Sequence, residues 1–363
     1  MTARSAAAVG GDAVGPVGPV GSVAVLAAGG YSVRLHRRSL AVCAALALAL
    51  VAAVLVSLSA GVNSFPVSRV LATIAGHGTP VEQLILGELR LPRALTAALV
   101  GAALGISGGI FQSLTRNPLG SPDVVGFTQG ATTGALVVLL LLQGGGIGTS
   151  AGAVAGGVVT AALVFGLSAH RGVAPLRLVL VGLGAALLLN SINSLLIVRS
   201  QLYDAQSASV WIVGNLAGRE WTEVRLMSGV LVVGLVLCAV LARPLSLSEF
   251  SDERSTSLGL HVGRARIGAV AVGVLLASAA VSVGGPIQFV ALPAPQIARR
   301  LTRAAGPNLV ASGLVGGVLL VLADFAAREA FQPRQLPVGV VTGVVGGLYL
   351  AWLLSRERKR GRA

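Results

Sequence analysis

The chain has 363 residues, 54% of them hydrophobic and 11% charged, and its mean hydropathy is +0.85. Soluble domains carry about 45–50% apolar and about 25% charged residues, so a water-soluble globule and a disordered chain are both excluded. The 27 basic against 13 acidic residues give a net charge of +14, yet the cations fall between long apolar runs and in the tails. That is a pattern of membrane topology, and no nucleic acid partner is expected.

Residues 1–38 read as a flexible cytoplasmic N-terminal tail, a Gly/Pro/Ala/Val stretch ending in Arg34, Arg37 and Arg38. The uncharged run Ser39–Ala60 is long enough to cross ~30 Å of hydrocarbon at about 1.5 Å per residue and is the first span. Further spans are expected at about 94–114, 124–143, 150–169, 178–198, 224–242, 267–285, 287–298, 308–327 and 337–354. Pro293 and Pro295 interrupt 287–298, so this piece reads as a broken helix that must be wrapped in protein or face water. The membrane-spanning body is 39–355, and 356–363 is a basic cytoplasmic tail. Ten spans with both termini inside place more than twice as many of the 27 cations inside as outside.

Glycine, at 49 residues, is about twice its usual ~7%, with no G-X-Y period. Instead it recurs four apart within spans, at Gly101/Gly105, Gly130/Gly134, Gly152/Gly156, Gly313/Gly317 and Gly339/Gly343/Gly347. Each pair leaves a flat stripe on which another helix can pack closely, so the fold class is an all-α polytopic bundle of about ten transmembrane helices.

Little in the chain suggests covalent chemistry. Cys43 and Cys238 are isolated, and His36, His77, His170 and His261 are scattered, so neither a metal site nor a cofactor is expected. The single lysine, Lys359, lies in the tail, so no phosphate-binding GxxxxGK[ST] loop exists and the chain is not an ATPase. Asp324 alone sits well inside an apolar run, with Arg328 four residues later. An acid before a base at i,i+4 favours a structural pair near the membrane edge over a proton relay. Asn190, Asn193 and Ser194 share one face of 178–198. Two readings stand for them: hydrogen bonds between helices, and the polar lining of a translocation path. In the loop 243–266, Pro244 breaks the preceding helix, and Ser248 or Ser251 can cap a short helix that opens on Glu249, Asp252 and Glu253 and ends at Gly259. Such a helix suits contact with a soluble partner.

The run LRLPRALTAALVGAALGISGGIFQSLTRNPLGSPDVVGF (89–127), the loop SDERSTSLG (251–259), GGPIQFVALPAPQIARRL and QLPVGVVTGVVGGLYL resemble the FecCD-type permeases of ABC importers. That family takes up iron chelates, haem and vitamin B12. The resemblance covers roughly residues 39–355 and looks most like the ferric-enterobactin branch, which handles catecholate siderophores. Gln296 and Gln335 depart from it, where many members have His and Glu.

The resemblance implies the type II importer permease fold. It also implies two copies of a separate ABC ATPase, a second permease subunit, identical or paralogous, and an extracytoplasmic siderophore-binding lipoprotein. By motif, Arg90, Arg93 and Arg328 would dock the binding protein, and Asp252, Glu253, Leu258 and Gly259 would lie in the coupling helix that meets the ATPase. The expectation is a multi-pass permease in a bacterial plasma membrane that carries a ferric siderophore inward. A haem or vitamin B12 permease of the same family and an ion-coupled secondary transporter are the alternatives.

Overall fold

α4 (Leu91–Thr115) is the buried axis of the molecule, and the rest of the chain is arranged around it. The computed structural model describes residues 23–28, 31–61, 63–168, 175–250, 252–330 and 335–360. An antiparallel hairpin, β1 (Val23–Ala28) and β2 (Tyr31–His36), lies within the expected tail, and α1 (Arg37–Ser59) follows it directly. Arg37 and Arg38 therefore head the first span instead of preceding it. α2 (Val67–Ile74) and α3 (Pro80–Glu82) lead through a π-helical stretch, Gln83–Arg90, into α4.

The chain continues with α5 (Phe127–Leu136) and its π-helical extension Val137–Leu141, α6 (Ile147–Ser168), α7 (Pro175–Arg199), α8 (Leu202–Trp211) and α9 (Trp221–Val240). The short α10 (Ala242–Ser248) and α11 (Asp252–Ser257) come next. α12 (Val262–Gly284), α13 (Pro293–Thr302), α14 (Leu309–Glu329) and α15 (Val338–Arg360) complete it. Among the described residues seven helices are long and apolar enough to cross a membrane, and Phe127–Leu141 and Val338–Trp352 are shorter apolar helices.

The remaining crossing is the broken segment. After α12 the chain is irregular through 285–292, with positive φ at Gly285 and Phe289, and only then enters α13. It follows α4 along its length: Gly284 lies beside Val100, Ala291 against Gly108, and the Leu292 carbonyl accepts from Gln112 Nε2 at 2.9 Å. Most residues from 285 to 299 are buried, Gln288 alone being exposed, so the free backbone groups are largely wrapped in protein as lipid depth demands. The expected span 287–298 is thus half irregular backbone and half helix.

Glycine sets the helix spacing. A Cβ on Gly101 or Gly105 would run into the carbonyl oxygens of Gly316 or Ser312 on α14. One on Gly130 or Gly134 would collide with α6 at Thr160 or Gly152. At Gly101, Gly105 and Gly134 the contact is backbone to backbone, the means by which helices associate where lipid is as apolar as leucine. The stripe on α15 behaves differently: Gly339 meets the Val213 carbonyl, whereas nothing lies within 4 Å of Gly343 or Gly347.

Candidate functional site

Three arginines singled out from the sequence converge where α1 and α14 end and α4 begins. Thr79 and Glu82 form a reciprocal capping box ahead of them, with Pro80 at the first helical position. The helix then widens to i,i+5 bonding over Gln83–Arg90 before Pro92. Pro92 has no N–H to give to the Glu88 carbonyl, so a wider turn upstream costs little there.

Arg93 grips Asp324 with two nitrogens, Nε at 3.1 Å from each carboxylate oxygen and Nη2 at 2.8 Å from Oδ1, and its Nη1 donates to Gln335 Oε1 at 3.0 Å. Arg328 Nε lies 3.3 Å from the other side of Asp324, at ion-pair distance without hydrogen-bond alignment. Its Nη2 donates to the Ser57 carbonyl at 3.1 Å and the Ser57 hydroxyl at 2.6 Å. The Asp324 side chain is 2% exposed, against 13% for Arg93 and 10% for Arg328. Arg90 donates to the Leu58 and Asn63 carbonyls at 2.8 and 2.9 Å and lies over the Phe65 ring. Two arginines therefore meet the last carbonyls of α1, where the helix dipole is negative.

Together they floor a cleft of about 650 Å³ whose walls include Glu88, Arg219, Glu220, Glu329 and Gln335. Arg219, on the loop before α9, was not singled out from the sequence. Its Nε is buried without a hydrogen-bond partner, and its one bond is a long 3.5 Å contact to the Asn215 carbonyl. The structure therefore shows Arg93 and Arg328 engaged within the chain. Glu88, Glu220 and Arg219 are the less committed charges of the rim.

The opposite end of α4 meets the loop. Asp252, the first residue of α11, accepts from Arg116 Nη2 at 2.7 Å and from Arg266 Nη2 at 2.8 and 3.0 Å. Burial raises its pKa, but the two guanidiniums outweigh that and hold the carboxyl below its usual range. Glu253 is exposed, as are Phe250 and Leu258, the latter at 56%. Gly259, at φ +79°, ends the turn, and the Leu260 N–H bonds back to the Ser255 carbonyl at 3.0 Å. The helix preceding Pro244, α9, ends at Val240, and Pro244 itself lies in the first turn of α10, where its missing N–H is unneeded. The Ser248 hydroxyl donates to the Leu245 carbonyl, so it is no cap, and Ser251 lies outside the described residues.

The polar face of α7 divides. Asn193 is buried, accepting from Thr133 Oγ1 at 2.7 Å and donating to Gln129 Oε1 at 3.3 Å, which joins α7 to α5. Asn190 and Ser194 are exposed and bonded only along their own helix. A further carboxylate, the half-buried Asp123 in the α4–α5 connection, also escaped the sequence reading. It accepts from the Thr128 hydroxyl at 2.7 Å.

A bundle of this shape, with a broken crossing, a charged cleft at one end and paired short helices at the other, defines a membrane transport subunit. Residues 27–356 match the FecCD transport family. The chain is 40% identical over 326 residues to the ferric enterobactin transport system permease protein FepG of Escherichia coli (strain K12), spanning 90% of this chain and 99% of that one. It is 36% identical to the achromobactin transport system permease protein CbrC of Dickeya dadantii (strain 3937), over 86% and 91%. A solved inward-facing metal-chelate type ABC transporter superposes with TM-score 0.78 at 27% identity, over 87% of this chain and 99% of that one. The chain belongs to the FecCD family of ABC importer permeases, a transport subunit whose ATPase is a separate chain.

Proposed function

We propose that this permease carries a ferric siderophore of the catecholate, enterobactin-like type inward across a bacterial plasma membrane, with both termini cytoplasmic. The observation that carries the reading is the 40% identity across essentially the whole length of a ferric enterobactin permease. The partners are two ABC ATPase subunits, a second permease, identical or paralogous, and an extracytoplasmic siderophore-binding lipoprotein.

The chain makes and breaks no covalent bond. Binding protein and ATPase each favour one of two states, and the difference in their affinities moves the permease between them. In this reading the cleft receives the binding protein. Arg90, Arg93 and Arg328 set its floor, and the rim charges Arg219, Glu88 and Glu220 meet the partner. At the other end Asp252 fixes α11 so that Glu253, Leu258 and the Gly259 turn are presented to the ATPase. Asn190 and Ser194 line the path between permeases, while Asn193 holds α7 against α5.

The test is uptake of radio-iron chelates in a strain lacking this gene, with and without its restoration. Ferric enterobactin uptake should return with the gene. Restoration by ferric dicitrate or achromobactin alone would move the substrate elsewhere among iron chelates, and restoration by none would reject the reading.

A further inference from the structure

Between α13, α14 and α15 lies an apolar slot of about 250 Å³, below the ~300–1,000 Å³ typical of sites for compact ligands. Its walls include Ile297, Leu322, Ala326, Val345 and Tyr349. The two side-chain hydroxyls in it are already used: Thr342 Oγ1 donates to the Gly339 carbonyl at 3.2 Å and Tyr349 to Gln296 Oε1 at 3.1 Å. Nothing polar remains there for a chelate to grip. Its lips are exposed, Leu322 on a helix long and apolar enough to cross a membrane and Val345 on a shorter apolar helix, so the slot opens toward hydrocarbon.

One turn beyond Ile297 and Tyr349, Arg300 lies over the Trp352 ring, 5.2 Å from its centroid. Arg300 is exposed and makes no ion pair with an acidic side chain among the described residues. Arg38 reaches the same place, donating to the Leu301 carbonyl at 3.0 Å, and Arg303 is exposed beside it. An apolar slot that runs into a cluster of cations with an aromatic ring matches one chemistry, a fatty chain joined to a phosphate.

We propose that this slot is a binding site for an anionic phospholipid, with one acyl chain between α14 and α15 and the phosphate on Arg300 beside Trp352. A second copy of this chain is a poorer occupant, because at net +14 it brings cations to a cluster that has no anion among the described residues. The inference is independent of the cargo.

Native mass spectrometry of the purified full-length chain tests it, after exchange into detergent containing phosphatidylglycerol or phosphatidylcholine. Phosphatidylglycerol should be retained preferentially, and R300Q, at an exposed position, should lower its retention about fivefold, the worth of one cation near a phosphate. A326F should lower retention of both lipids by filling the slot, its fold checked by the melting temperature. L322F serves the same purpose if A326F does not fold. Inorganic phosphate should not displace the lipid. Equal retention of both lipids with no effect of R300Q would overturn the proposal, as would displacement by phosphate alone or a dimer that retains no lipid.

Discussion

Asp324 organises one end of the permease. A carboxylate 2% exposed between Arg93 and Arg328 is tolerable only because two guanidiniums and their further hydrogen bonds surround it. Asp324→Ala should leave two facing cations and cost about 3–5 kcal/mol, the usual penalty for breaking a buried pair from one side. The melting temperature of the purified chain in detergent measures this, and an unchanged melt would show that the network is ornamental. The sequence reading reached half of this arrangement, since the i,i+4 spacing to Arg328 is local. Arg93 is 231 residues away, and no periodicity links the two. The same network changes how docking is probed: reversing Arg93 would set a carboxylate against Asp324, so the exposed rim is the place to alter charge. Arg219 and Asp123 were missed because nothing in their neighbourhoods is periodic or repeated. Asp123 does stand in the NPLGSPDVVGF stretch, which was a usable signal.

At the scale of elements, the longest helices and the glycine contacts were readable because each depends on spacing within one segment. Gly101, Gly105, Gly130 and Gly134 behave as their spacing foretold, whereas Gly343 and Gly347 have nothing against them. Spacing names the face of a helix but not the neighbour that covers it. The loop at the other end shows the same limit. A short helix opening on Asp252 was legible, but the Arg116 and Arg266 that pin it come from α4's end and from α12. Because Asp252 has a lowered pKa in the folded chain, its anchoring is fully present above the unfolded value of about 3.9 and is lost as pH falls through the native value. Hydrogen exchange of residues 252–260, corrected for intrinsic rates, should loosen only below about pH 4, and D252N should loosen it at neutral pH. The same protection in D252N as in wild type would remove Asp252 from the anchoring role.

For the whole molecule, the broken crossing beside α4 and the absence of a nucleotide loop in the sequence belong to one design, in which the conduit and the motor are separate chains. The most direct measurement places the purified permease in liposomes with a ferric chelate outside, alone and then with its ATPase and binding protein. Accumulation against a gradient should appear only in the complete assembly with ATP. Uphill accumulation by this chain by itself would contradict the account.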